Sequence, residues 1–325
     1  MSDTTVTNKT PGEYLKAFIS IRWAWSYTGV VIVFLLVAMV SQSPVQTLAA
    51  SISFASFFVL VGLGQMLVIT NGPGNIDLSI PYTIALAGSF AMKVMGGMDS
   101  GIFMGILAGI AAGSAVGAFN FLLIRFALIP PMIATLASSF IVRTLAIVFF
   151  RGMLIKPPRG LEIFVNIKIL QIPILFLLVI LLSILVHLLL NRTAYGRGIQ
   201  AIGQNTKAAW LAGVKVNYRK LITYTLSGVF AGITGVLLAA FSGGATLGMG
   251  DEYLLNSIAV VVLGGTSIAG GDSNVQGIIG ASVLLYLIVN LLNIIGFGAS
   301  LRYIVTGVVI VGIILAAGHG KVKGA

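Results

Sequence analysis

The chain is a near-unbroken series of apolar stretches, each close to the length that crosses a bilayer, and this pattern decides its solvent before anything else. About 20 apolar residues span a hydrocarbon core of ~30 Å. Runs of that kind fall near residues 23–41, 47–70, 79–96, 101–124, 130–150, 172–190, 221–241, 253–271, 275–295 and 301–318, with no polar domain between them. Hydrophobic residues make up 58% of the sequence and charged residues 8%, against roughly 25% charged in soluble domains. So few charges cannot cover a water-facing surface. The reading is all-α: a polytopic helical membrane bundle of about ten spans, with residues 1–325 as a single transmembrane domain. Gly-rich polar segments abut the third and eighth runs, which are expected to be broken or re-entrant.

A net charge of +11 would suggest nucleic acid in a soluble protein, but here the Lys and Arg sit in short segments between apolar runs and report topology instead. The loop 191–220 carries Arg192, Arg197, Lys207, Lys215, Arg219 and Lys220 and no acidic residue. The positive-inside rule places it in the cytoplasm, and counting spans outward puts both termini there too, with residues 1–22 as a cytoplasmic N-terminal segment. Lys321 and Lys323 agree; Arg151, Lys156, Arg159 and Lys168, in the loop 151–171 on the opposite side, weaken the bias. The polar first twenty residues are not the basic start of a signal peptide, so the first run is expected to be a retained span.

The sequence offers little for chemistry. It has no Cys and two His, His187 and His319, so thiolate and His metal sites are not expected. There is no phosphate-binding Gly-x-x-x-x-Gly-Lys-Ser/Thr loop, and no paired carboxylates or nucleophile with a base within the spans. An enzymatic reading is poor.

Small residues are patterned. Gly101, Gly105, Gly109, Gly113 and Gly117 recur every four residues, which on a helix makes a groove where another backbone can approach closely. The segment from Asn71 through Asp77-Leu78, ending an aliphatic stretch later at Gly96-Gly97, resembles that from Gly243 through Asp251 to Gly270-Gly271. Five spans separate the two, so an inverted repeat around a midplane pathway is expected.

Charges inside spans are functional suspects because each costs about 2.5–3.5 kcal/mol at the bilayer centre. Arg143, midway through the fifth run, is read as a structural intramembrane charge; Asp77, Lys93 and His187 lie nearer span ends. Gln65, Asn75, Asp77, Ser79, Asn120, Thr135, Ser138 and Asn290 are candidate pathway residues, available to a polar solute or to interhelical hydrogen bonds. An ion-driven carrier would couple through an embedded acid, and only Asp77 is placed for it. A transporter powered by another protein needs instead a handle on the cytoplasmic side. Residues 195–214 fit: Asn205 or Thr206 can cap a short helix running through Leu211, which Gly213 can close.

This last segment resembles the cytoplasmic coupling segment of ATP-binding-cassette importer permeases of the ribose and simple-sugar type, in the branched-chain amino acid and sugar permease superfamily. Gly198, Ile202-Gly203, Asn205, Ala208, Ala209 and Gly213 carry the likeness. Asp77-Leu78-Ser79, Thr135-Leu136-Ala137 with Arg143, and Val262-Leu263-Gly264-Gly265 with Gly270-Gly271 resemble further family segments in the family's order. The sequence departs at residues 71–75, at Ile80-Pro81 and at Thr144, so the solute need not be one of the family's commonest sugars. Ser79 is expected to cap the following helix and Pro81 to sit in its first turn.

The resemblance implies a permease subunit in the bacterial cytoplasmic (inner) membrane. Its ATPase-coupling residues would be Gly198, Gly203, Asn205, Ala208, Ala209 and Gly213. It implies a second permease subunit, identical or paralogous, two ATP-binding subunits or one fused tandem ATPase, and a periplasmic or lipid-anchored solute-binding protein. No cofactor is expected on this chain; ATP and Mg belong to the partner ATPase. The rival is a stand-alone ion-coupled carrier or channel using Asp77, and a structural membrane scaffold is a third class.

Overall fold

The protein is seen in a computed structural model that describes residues 23–151 and 156–298, with residues 300–302, 304–308 and 311–312. The segment 1–22 and much of the expected run 301–318 lie outside the described residues. The chain is helical nearly throughout: α1 (Ala24–Val40), α2 (Pro44–Thr70), α3 (Ile80–Met95), α4 (Ile102–Phe126), α5 (Pro131–Phe150), α6 (Arg159–Asn166), α7 (Ile174–Arg192), α8 (Ala194–Gln204), α9 (Thr206–Leu211), α10 (Val216–Phe241), α11 (Tyr253–Leu263) and α12 (Val275–Ile294).

Among the described residues six helices are long and apolar enough to cross a membrane: α2, α4 with its preceding turn, α5, α7, α10 and α12. Helices α1, α3 and α11 are shorter. Of the four expected runs outside this set, the first, third and eighth form these shorter helices, and much of the tenth lies outside the described residues. Helix α3 begins at Ile80, after irregular residues 71–79, and the eighth run stops being helical at Leu263, where Gly264, Gly265, Gly270 and Gly271 crowd the chain. The loop 151–171 also holds more structure than its composition suggests. It contains α6 and the strand Lys168–Ile169, which pairs antiparallel with Ile172–Pro173 just beyond it, and the Gly160 amide donates to Asp99 Oδ1 at 2.8 Å.

The bundle is organised by α3, α4 and α10, which touch through their backbones. A Cβ on Gly113 would overlap the Gly228 carbonyl, one on Gly117 the Tyr224 carbonyl, and one on Gly235 the Ile84 carbonyl. The expected groove on α4 therefore receives a matching series of small residues on α10. Apolar side chains alone give helices no preference for one another over lipid, so close backbone packing supplies the association. Helix α2 is buried on all sides from Ala55 to Thr70, while Phe140, Ile141, Leu145, Val148 and Phe149 of α5 face outward.

Two interrupted helices meet inside this frame. Residues 71–79 are irregular and lead into α3; residues 242–252 are irregular and lead into α11. Gly250 sits against Pro81, its Cβ position filled by the Pro81 carbonyl. Tyr253, at the start of α11, packs edge-on against Phe58, near the middle of α2, at 5.3 Å between ring centroids. The starts of α3 and α11 thus meet at mid-depth of the bundle.

Candidate translocation and coupling sites

The irregular segment before α3 is held by a buried polar network. Asp77 is 2% exposed. Its Oδ1 accepts from the Ser79 amide at 3.0 Å, the Ser79 hydroxyl at 2.6 Å and Asn120 Nδ2 at 3.3 Å, and its Oδ2 accepts from the Ser227 hydroxyl at 2.8 Å. Four donors replace the water that a carboxylate loses on burial, which is the condition for keeping one inside a membrane protein. Asn120 also donates to Ser79 Oγ at 2.7 Å, and the Asp77 amide donates to Gln65 Oε1 at 3.3 Å. Thr135 accepts from the Leu78 amide at 3.1 Å and lies 3.0 Å from the Ile76 carbonyl as donor. The Tyr224 hydroxyl donates to Asn75 Oδ1 at 3.1 Å. Residues from α2, α4, α5 and α10 thereby converge on one non-helical stretch.

Six of the eight candidate pathway residues, Gln65, Asn75, Asp77, Ser79, Asn120 and Thr135, fall in this network. Ser138 lies one turn beyond Thr135, fully buried. Asn290 is elsewhere, donating to Ser51 Oγ at 2.9 Å and joining α12 to α2. Among the described residues Gln65 Nε2, Asn120 Oδ1 and Ser138 Oγ have no hydrogen-bond partner, so the cluster retains unused hydrogen-bonding capacity. Ser79 does not cap α3 as expected: its oxygen accepts from Asn120 while its hydroxyl proton goes to Asp77. Tyr224 and Ser227 were not foreseen; three residues apart on α10, they present one polar face that the sequence does show.

The segment 193–213, expected on the cytoplasmic side, folds as two short helices. Thr193 caps α8 by accepting from the Gly196 amide at 3.2 Å, and Asn205 caps α9 by accepting from the Ala208 amide at 2.9 Å. Gly213 follows α9 at φ +83°, a left-handed conformation that favours glycine. Tyr195 anchors α8 through a 2.7 Å hydrogen bond to Thr223, and burial pushes its hydroxyl up to about 12 despite that bond and the nearby Arg219 charge.

The six expected coupling residues divide into two sets. Gly198, Gly203 and Ala209 are buried, whereas Asn205, Ala208 and Gly213 are exposed. Gly198 leaves room for the Arg219 side chain, and Gly203 packs on the Thr70 carbonyl and the Gly271 amide nitrogen. Beside Ala208, Trp210 is 65% exposed and Leu211 69% exposed. One face of this hairpin is an apolar knob; the other is keyed into the bundle where α2 ends.

Arg143 projects from α5 on an exposed face, its guanidinium 5.2 Å from the Tyr82 ring centroid. It lines a cavity of about 130 Å³ with Tyr82, Leu247, Gly248 and Asp251 among its walls. Among the described residues no group of three or more His, Cys, Asp or Glu is arranged to hold a metal.

The family described as branched-chain amino acid transport system / permease component matches residues 47–314, and the chain belongs to that family. It is 34% identical to the ribose import permease protein of Bacillus subtilis (strain 168) over 77% of this chain and 78% of that one. It is 29% identical to the galactose/methyl galactoside import permease protein of Escherichia coli (strain K12), over 87% and 90%. An autoinducer 2 import system permease protein of Klebsiella pneumoniae is 31% identical over 89% and 84%. No solved structure matches the chain.

Proposed function

We propose that the chain is the membrane-spanning permease subunit of an ATP-binding-cassette importer, carrying a sugar or sugar-like polar solute delivered by an extracytoplasmic binding protein. The observation that carries this reading is the exposed knob of Ala208, Trp210 and Leu211, backed by Gly203 in backbone contact with Thr70. A surface that receives a push must be rigidly joined to what it moves. ATPase closure would press α9, and the contact at Thr70 would pass the displacement to the end of α2 and the interrupted segment that follows.

In this reading the subunit sits in the bacterial inner membrane with ten spans, both termini cytoplasmic and an inverted repeat. The paired interruptions before α3 and α11 support the repeat, one preceding each half-length helix, with the two meeting at Pro81 and Gly250. Two permease subunits, identical or paralogous, would enclose one pathway, and ATP with Mg would bind only the partner ATPase. Gln65, Asn75, Asp77, Ser79, Asn120, Thr135, Ser138 and Asn290 are assigned to that pathway. Most are closed on one another in this conformation, so solute would reach them when α10 moves away from the interrupted segment.

The stand-alone ion-coupled alternative needs Asp77 to exchange its ion with water, yet its oxygens are taken by four donors. Uptake of labelled sugar into proteoliposomes tests the two readings. Transport is expected only with the ATPase, the binding protein and ATP; uptake driven by an ion gradient through this chain alone overturns the proposal.

A further inference from the structure

We infer that Tyr82, Arg143 and Asp251 form a solute station for a neutral polyhydroxylated molecule, placed where the two interrupted segments meet. The inference rests on the permease reading and names the contact point within it. Arg143 lies well inside α5, two turns before the helix ends at Phe150. It is exposed, and an exposed arginine at that depth cannot face acyl chains without a cost of several kcal/mol on insertion scales. The face carrying it therefore borders water or another subunit.

Its neighbours come from both interruptions. Tyr82 stands in the first turn of α3, just after the Asp77 segment, and Asp251 in the irregular stretch leading to α11, with Gly250 on Pro81 locking the two together. Three elements remote in sequence thus bring a ring, a cation and an anion to one cavity.

The chemistry of the walls selects the ligand class. Arg143 supplies several N–H donors and no acceptor; Asp251 supplies acceptors and no donor. Each sugar hydroxyl donates and accepts, so neighbouring hydroxyls can serve both walls at once. A net anion would be repelled by Asp251 and a net cation by Arg143; a zwitterion could pair with both, which makes L-leucine the discriminating control for the sugar assignment. The cavity holds about 130 Å³, below the ~300–1,000 Å³ of complete small-molecule pockets. It is a half-site, which a second subunit would close, and such a station would hold solute weakly enough to release it onward.

The chain contains no cysteine, which allows a direct test on the full-length protein in lipid nanodiscs. Leu247→Cys places a thiol on the cavity wall, and its labelling by a charged, membrane-impermeant thiosulfonate reports water access. Labelling is expected, and 100 mM D-ribose or D-galactose is expected to slow it severalfold while L-leucine leaves it unchanged. Adding Arg143→Gln or Asp251→Asn is expected to remove the protection, each variant being compared with its own rate in buffer without sugar. Absence of labelling, absence of sugar protection, or protection retained in both variants overturns the station; protection by leucine and not by sugar overturns the ligand class. Reconstituted ATP-driven uptake separates the two levels. Sugar uptake without protection at position 247 refutes the station alone, and protection without ATP-driven uptake refutes the importer reading alone.

Discussion

The Gly271 amide donates to the Thr70 carbonyl at 2.9 Å, and this one bond joins the turn before α12 to the last residue of α2. Gly203 of α8 rests on the same two groups, and a Cβ at Gly270 would overlap the Gly72 backbone. The α8–α9 hairpin, α2 and the Gly-rich turn after α11 therefore meet main chain to main chain at Gly203, Thr70 and Gly271, and the Gln204 side chain adds a 3.4 Å hydrogen bond to the Gly271 carbonyl.

Replacing Gly203 tests that junction. Gly203→Val forces a side chain onto a carbonyl oxygen, an overpacking that costs about 1–3 kcal/mol. It is expected to lower the thermal midpoint of the purified chain by several °C and to uncouple transport. Gly213→Ala, with open space but positive φ, is expected to cost about 1 kcal/mol and to leave most uptake intact. Equal thermal midpoints for Gly203→Val and wild type would break the account.

The exposed face should behave in the opposite way. Ala208→Glu and Trp210→Ala are expected to leave the melting curve within about 1 °C of wild type, since surface changes stay within ~0.5 kcal/mol. Both should lose co-purification with the ATPase. Retained complex in a pull-down of both variants would move the docking surface off α9.

At Asp77 the two kinds of substitution separate structure from ion coupling. Asp77→Ala strands donors from Ser79, Asn120 and Ser227, at about 1–3 kcal/mol each. A large drop in yield and midpoint is expected. Asp77→Asn keeps an acceptor for Ser79 and Asn120 and lets the Ser227 hydroxyl turn to accept, so the fold should survive with ATP-driven uptake reduced by less than about tenfold, roughly 1.4 kcal/mol. Complete loss of transport in a well-folded Asp77→Asn protein would favour the ion-coupled alternative.

The α4 groove gives a fourth prediction. Gly113→Leu would push α4 away from Gly228, and no stable protein is expected from it by detergent extraction and size-exclusion chromatography. Gly74→Ala, with nothing within reach of its Cβ but a φ of +76°, should still yield a monodisperse peak. A normal peak for Gly113→Leu would mean that the α4–α10 seam is looser than its backbone contacts indicate.

These cases show what could be read in advance. Apolar length announced α2, α5, α7, α10 and α12 because lipid demands it of any helix, and the four-residue spacing of glycines announced the α4 groove because helical periodicity carries it. The partner was legible too, in Gly228 and Gly232, but choosing it requires knowing which helices touch. Gly203 read as part of a docking surface because sequence cannot say which face of a short helix is turned inward. The run 79–96 matches α3 to within a residue at each end, whereas the run 253–271 overreached α11, because the helix stops at Leu263 where Gly264, Gly265, Gly270 and Gly271 follow. Arg143 was read as bundle-internal from its depth alone; its exposure beside Tyr82 and Asp251 depends on contacts among three distant segments.

Helix α11 has a consequence for how the protein is made. At 11 residues and ~1.5 Å per residue it is about 16 Å long, half the hydrocarbon thickness. It cannot partition into the membrane as a spanning segment by itself when it leaves the translocation channel. It has to wait for α12 and then settle as a hairpin into a space already shaped by α2, whose Phe58 receives Tyr253. Helices α11 and α12 are therefore expected to take their place together after α2, and truncation before α12 should strand α11 at the membrane surface for proteolytic removal.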